Sequence, residues 1–292
     1  MKFKDLKENK TFRNIFKVVV FIVILLVLSI ILRLINLYPI NQYQNQFERN
    51  EDGIIKGSEP IYLEGNNNKA VILIHGLTDS PANFKHLAYF LNERGYSVYV
   101  PLLPGHGTKV QDLNDKRYYE WYRAAQNALE DVDEKERYII GHSLGGLLAL
   151  DIASRNEVEA VVTINAAVKL ETRYAPFIPF VKLIEDYHIK SEEDINLLLD
   201  NNLSVPYNAM PLNSVSQLLK GVSDLKMDNI EEPIYIIQGI DDDVVDRDSA
   251  IEIYDKVSSK KKELVFIEDS SHEIINNAEE YYYTILNFFS PS

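Results

Sequence analysis

The chain has 292 residues, 46% hydrophobic and 25% charged, with a formal net charge of −14. That mix suits a globular chain of one or two domains with one sizeable core, and excludes a disordered one. The absence of cysteine excludes disulfides, thiolate metal sites, a cysteine nucleophile and an N-terminal lipidated cysteine.

Residues 1–17 carry six Lys or Arg against Asp5 and Glu8, a balance of about +4, whereas from Tyr38 onward the balance is about −19. So acidic a body speaks against nucleic acid as a partner, because phosphate binding needs basic surface. Residues 18–37, VVVFIVILLVLSIILRLINL, form an apolar run of the length that crosses a bilayer core. Arg33, near its end, is expected to snorkel to the headgroups. The alternative is a cleaved signal peptide, but the run is long and no A-x-A-like site follows it. A retained single-pass anchor is therefore expected. The basic flank comes first, which leaves residues 1–17 in the cytoplasm and the body outside, in a bacterial cell membrane.

Residues 38–58 read as a linker, polar and rich in Gln and Asn over 41–52. Beyond it, β-branched runs predict strands at 60–64, 70–75, 97–100, 137–140, 160–164, 234–238 and 263–267. Helical patterns at 80–94, 118–131, 144–155, 248–257 and 279–289 alternate with them. Alternation of this kind implies a doubly wound, mostly parallel α/β sheet. It breaks between 165 and 232, where helical pieces (FVKLIED, SEEDINLLLD, SVSQLLKG) and prolines occur without a convincing strand. This stretch is expected to be a helical insertion over the sheet, splitting the core into 59–164 and 233–292. Its apolar residues (Phe177, Ile178, Phe180, Val181, Ile184, Tyr187) are expected to pack against the core, a role compatible with lining a substrate pocket.

Gly141-His142-Ser143-Leu144-Gly145 fits G-x-S-x-G between a predicted strand and a predicted helix. The glycines fit a tight turn in which side chains two residues either side of the serine would clash. The competing reading of Ser143 is an N-cap serine in a glycine-rich turn. A nucleophilic serine needs a base, usually histidine. Of six histidines, His272 follows the last strand closely, at the edge where a doubly wound sheet binds its ligands. His142 is expected to point elsewhere, His86 to lie on a helix surface and His188 in the insertion. The base needs a carboxylate. Asp241, Asp242 and Asp243 follow the strand at 234–238; Asp242 is the expected partner and Asp243 the second choice. The order Ser, Asp, His suits the strand-to-helix serine motif. An oxyanion would require backbone donors, expected from the N–H groups of Leu144 and of Leu77, with Gly76 permitting the turn. His75 is expected to hold that loop in shape, and PLLPGHGT, with His106, to form a second shaping loop.

HGLTDSP, GYSVYVPLLPGHG, GHSLGG, QGIDDDVV and SSHEI occur in that order, and over residues 60–289 the chain resembles the α/β-hydrolase family, within it the bacterial carboxylesterase and monoacylglycerol-lipase group. The resemblance implies an α/β-hydrolase fold with a helical cap at 165–232. It implies an acyl-pocket role for that cap, no metal or organic cofactor, and Asp242 as the acid at the family's G-x-x-D position. The N-terminal transmembrane helix is no part of the family pattern. The expected activity is hydrolysis of short or medium acyl esters or monoacylglycerols through an acyl-enzyme on Ser143. An acyltransferase, thioesterase or peptidase on the same fold, or a non-catalytic tethered binding module, are the competing readings. The oligomeric state is not legible.

Overall fold

The structure, a computed structural model, describes residues 10–171, 177–191, 195, 207–272 and 279–290. It opens with one helix, α1 (Lys10–Gln44). Among the described residues this is the one helix long and apolar enough to cross a membrane, with a mean hydropathy of 3.3 over its most apolar window. The expected span lies inside it, and the helix continues without a break into the stretch read as a linker. Ile40 is fully buried in the core and the Gln44 carboxamide oxygen accepts from the Val110 N–H at 2.8 Å. Ile55 and Ser58 are buried too. The C-terminal end of the helix is therefore fastened to the domain, because Ile40 and Gln44 lie one turn apart on one helix face.

The strands are β1 (Ile61–Leu63), β2 (Lys69–Ile74), β3 (Ser97–Val100), β4 (Glu136–His142) and β5 (Ala160–Ile164), then β6 (Tyr187–Ile189) and β7 (Ala209–Pro211), and finally β8 (Ile234–Gly239) and β9 (Lys262–Ile267). Seven form one sheet, ordered β1-β3-β2-β4-β5-β8-β9, parallel except for β1. The helices are α2 (Lys85–Asn92), α3 (Val110–Asn114), α4 (Tyr118–Glu130), α5 (Leu144–Ala153), α6 (Ile178–Val181), α7 (Leu212–Asp224), α8 (Asp248–Lys256) and α9 (Glu279–Phe289). A 3-10 turn, Pro81–Phe84, leads into α2. Successive side chains of a strand alternate faces. Ile72, Ile74 and Ile139 thus pack on one side with α4, α5 and α8, while Val71, Leu73 and Ile140 pack on the other with α2 and α9. Both faces being covered explains the continuous apolar runs. All ten residues of α5 are buried, as a helix apolar on every side requires.

After β2 the chain moves outward to β3, then crosses back to β4 on the other side of β2. The carboxyl ends of β2 and β4, paired through Ile74 and Gly141, mark this switch point, where sheets of this kind bind ligands.

The insertion differs from the all-helical expectation. Its β6 and β7 pair antiparallel, His188 opposite Met210. Three-residue strands separated by some twenty residues carry too little periodicity to be read from sequence. Of the expected helices, FVKLIED overlaps only the short α6, which starts at Ile178 with Pro179 in its first turn, and SVSQLLKG falls in α7, which starts after Pro211. Most of SEEDINLLLD lies outside the described residues. Nor do the insertion's apolar residues pack inward as expected. Tyr187 is buried, but Phe177, Phe180, Val181 and Ile184 are exposed.

Candidate active site

Ser143 links β4 to α5 with φ 54° and ψ −116°, a left-handed backbone that costs a non-glycine residue about 1–3 kcal/mol. The turn is held in this shape by its neighbours. A Cβ on Gly145 would overlap the Ile74 carbonyl of β2, and one on Gly141 would overlap Gly145 itself. Only glycine allows α5 to start this close to the sheet. Ser143 occupies the N-cap position, yet its side chain makes no capping bond. Its Oγ lies 3.0 Å from His272 Nε2 instead, which disposes of the capping role.

His272 Nδ1 is 2.8 Å from Asp242 Oδ2. A carboxylate accepts, so Nδ1 carries the ring proton and Nε2 is free to accept from the serine hydroxyl. Asp242 is buried, whereas Asp241 and Asp243 are exposed. Burial acts to raise the Asp242 pKa. The hydrogen bond and charge of His272, with the Val245 and Val244 N–H groups, outweigh it and hold the carboxyl below the usual carboxylate value. The two amides each donate to Oδ1 over 2.8 Å.

Leu144 is the first residue of α5, so its N–H has no acceptor within the helix. Leu77 follows β2 through Gly76, whose added Cβ would stand 3.3 Å from Ser143 Cβ. The loop is pinned from two sides. Asp79, buried, accepts from the Ser80 N–H at 2.6 Å and the Gly76 N–H at 3.4 Å. His75 Nδ1 faces the Gly76 carbonyl at 3.0 Å while its Nε2 accepts from the Leu103 N–H at 3.1 Å. His75 thus joins the loop after β2 to the loop after β3. Burial first, then repulsion from His142, lowers its pKa to about 4 despite the Gly76 bond. His106 stacks edge-on against His75 at 4.8 Å, is buried and is held neutral for the same reason.

Two residues at the site carry roles that no motif indicates. His142, expected to point away, has its Nε2 2.9 Å from the His272 carbonyl oxygen. Asn165, just after β5 with φ 46°, donates to the same carbonyl at 2.8 Å and accepts from the Gly239 N–H at 2.8 Å. It ties the loop bearing His272 to the strand that leads to Asp242. Its position at the carboxyl edge of a central strand is the one signal that points to it. His86 and His188 are exposed.

Among the described residues no three His, Asp or Glu side chains converge as a metal site. A separate cavity of about 720 Å³, lined by residues that include Tyr118, Asp151, Arg155, Gln217 and Lys220, lies where α4, α5 and α7 meet. Asp151 is bonded there to Tyr118 and Arg155, and the cavity does not include Ser143.

Residues 65–279 match the profile of the Hydrolase_4 family, described as serine aminopeptidase, S33. A carboxylesterase of Bacillus subtilis (strain 168) is 26% identical over 229 residues, 76% of this chain and 91% of the relative. A thermostable monoacylglycerol lipase of Bacillus sp. (strain H-257) is 29% identical over 226 residues, 75% of this chain and 88% of the relative. Among solved structures, one of the metagenome-derived lipolytic enzymes LipS and LipT superposes with a TM-score of 0.73 at 25% identity, covering 81% of this chain and 98% of that one.

Proposed function

The chain belongs to the Hydrolase_4 family of α/β hydrolases, and on that premise we propose that it is a membrane-anchored serine hydrolase of carboxylic esters, with short or medium acyl esters or monoacylglycerols as substrates. The observation that carries the reading is the file of three groups, Ser143 Oγ 3.0 Å from His272 Nε2 and His272 Nδ1 2.8 Å from Asp242 Oδ2. The names borne by the relatives, carboxylesterase and monoacylglycerol lipase, support ester substrates.

In this reading Ser143 Oγ attacks the acyl carbon while its proton passes to His272 Nε2. Asp242, kept ionised, stabilises the imidazolium and fixes its tautomer. The negative oxygen of the tetrahedral intermediate accepts from the N–H groups of Leu77 and Leu144. His272 returns the proton to the leaving alcohol. It then takes one from water, whose attack on the acyl-Ser143 ester releases the acid and restores the serine. No metal or organic cofactor takes part. The strain at Ser143 holds its hydroxyl clear of the sheet edge, ready for attack.

Helix α1 serves as a single-pass anchor, with residues 1–17 in the cytoplasm and the body outside the cell membrane. Residues 59–164 and 233–292 form the hydrolase core and 165–232 its cap. A panel of p-nitrophenyl esters from C2 to C16, with a monoacylglycerol and an aminoacyl amide, tests the reading on wild type and Ser143→Ala. Turnover of the esters and the monoacylglycerol, lost in the variant, is the expected result. Cleavage of the amide alone would shift the assignment to a peptidase.

A further inference from the structure

We propose that residues 177–184 of the insertion form a ridge that enters the same membrane leaflet as α1, because Ser29 and Arg33 of α1 bond directly to its backbone. The proposal rests on reading α1 as a membrane anchor. The half-buried or buried residues of α1 from Ser29 onward are Ser29, Arg33, Asn36, Leu37, Ile40, Tyr43 and Gln44. They recur every three or four residues, which is one face of a helix. That face meets the insertion. Ser29 Oγ donates to the Ile184 carbonyl at 3.0 Å, and Arg33 Nη2 donates to the Lys182 and Leu183 carbonyls at 3.3 and 3.2 Å. Arg33 Nη1 also lies 3.4 Å from Asp186, and Asn36 Nδ2 donates to Glu185 at 2.6 Å.

The apolar run at 18–37 spans about 30 Å at 1.5 Å per residue. Ser29 lies eight residues inside its outer end, about 12 Å below Leu37, and Arg33 about 6 Å below it. When α1 is inserted, the Ile184 carbonyl is therefore carried to the depth of the acyl chains, and the turn with it. The chemistry of the turn suits that depth. Phe177, Phe180, Leu183 and Ile184 are 58%, 67%, 69% and 57% exposed, a contiguous apolar surface of the kind that marks a contact with membrane or protein. Continuity with the exposed apolar faces of α1 favours lipid. Arg33 does not need to snorkel as expected. It satisfies carbonyls left open where α6 ends, and Asp186 balances its charge, which is how a cation is tolerated in hydrocarbon.

Two consequences follow for the site. Since α1 runs straight into the core at Ile40, the domain is held at a fixed orientation on the leaflet. Since β6 follows the ridge at once, and Lys190 Nζ reaches Thr78 Oγ1 at 3.3 Å beside Leu77, the ridge is a few residues from the loop over Ser143. A lipid ester leaving the leaflet meets the site without crossing bulk water.

The chain contains no cysteine, so single cysteines report cleanly. Full-length Leu183→Cys, with Leu25→Cys in α1 and exposed Tyr62→Cys in β1 as references, is labelled with an environment-sensitive fluorophore and reconstituted into phosphatidylethanolamine–phosphatidylglycerol vesicles. Lipid-borne nitroxides should quench the labels at 25 and 183, but not at 62. Quenching at 25 without quenching at 183 overturns the ridge and leaves the anchor standing. Quenching at neither overturns the anchor reading itself. A label at 183 shielded from aqueous iodide yet untouched by nitroxide lipid indicates a second copy or another protein on the ridge, and also overturns the proposal. In a companion experiment, Phe180→Asp with Leu183→Asp should lower kcat/KM for vesicle-borne monoacylglycerol by about tenfold or more. Hydrolysis of p-nitrophenyl acetate in detergent should be unchanged. Equal losses on both substrates contradict the ridge.

Discussion

The ring of His142 and the backbone of His272 are joined: Nε2 of the first lies 2.9 Å from the carbonyl oxygen of the second, and the two rings stand 4.9 Å apart. With Asn165 donating to the same oxygen at 2.8 Å, the loop carrying the base is clamped from two strand ends. A displacement of about 1 Å at a reacting group costs on the order of 10²-fold in rate. Asn165→Ala and His142→Ala should therefore each lower kcat by about 10- to 100-fold with KM little changed, as steady-state kinetics on a soluble ester would record. A change confined to KM would mean that these residues contact substrate and do not position His272.

Replacing Asp242 with Asn leaves a neutral amide facing His272 Nδ1 and favours the wrong tautomer. By the behaviour of such triads kcat should fall about 10⁴-fold while the protein stays folded. Asp243→Asn, on an exposed side chain, should leave kcat within about twofold, a surface change away from the chemistry. A comparable loss in both variants would show the acid to be misassigned.

The elbow glycines separate steric from conformational demands. A Cβ on Gly145 overlaps the Ile74 carbonyl, whereas Gly53, at φ +78°, has nothing within 4 Å. Gly145→Ala should cost about 1–3 kcal/mol or more through overpacking and remove ester hydrolysis. Gly53→Ala pays only left-handed strain, about 1–2 kcal/mol, and keeps activity. Thermal melts and ester assays compare the two, and full activity in Gly145→Ala would contradict the assigned packing.

Acid lability should come in part from His75. Its folded pKa of about 4 lies below the unfolded value of about 6.5. Between those values the unfolded chain binds the extra proton, so stability is whole above about pH 6.5 and falls toward pH 4, by about 3 kcal/mol in total. His106, also lowered by burial, adds to the same trend. Asp242, a carboxyl that is also lowered, contributes stability that is whole above the ordinary carboxylate pKa and is lost as the pH falls from there through its folded value. Urea unfolding of His75→Gln from pH 7.5 to 4 should give a shallower pH slope than wild type. Parallel curves would remove His75 from the account.

Much of the parallel sheet was legible because each strand is a short β-branched run between helices, and the observed strands begin and end within two residues of those expected. The serine loop was legible because its constraints are local. G-x-S-x-G, the strand before it and the helix after it lie within some twenty residues. What escaped depends on contacts distant in sequence. Asn165 acts on residues more than seventy positions away. The β6–β7 pair is three residues long on each side and has no pattern of its own. The polar stretch after residue 37 looked like a tether because Ile40 and Gln44 are too few to register as a buried face.

The central claim, that Ser143 is the attacking group, is tested most directly by trapping it. Incubation of the full-length protein with a fluorophosphonate, followed by peptide mapping, should give a single adduct on Ser143. No adduct should form in Ser143→Ala or after heat denaturation. An adduct on another residue, or ester turnover undiminished in Ser143→Ala, would contradict the account.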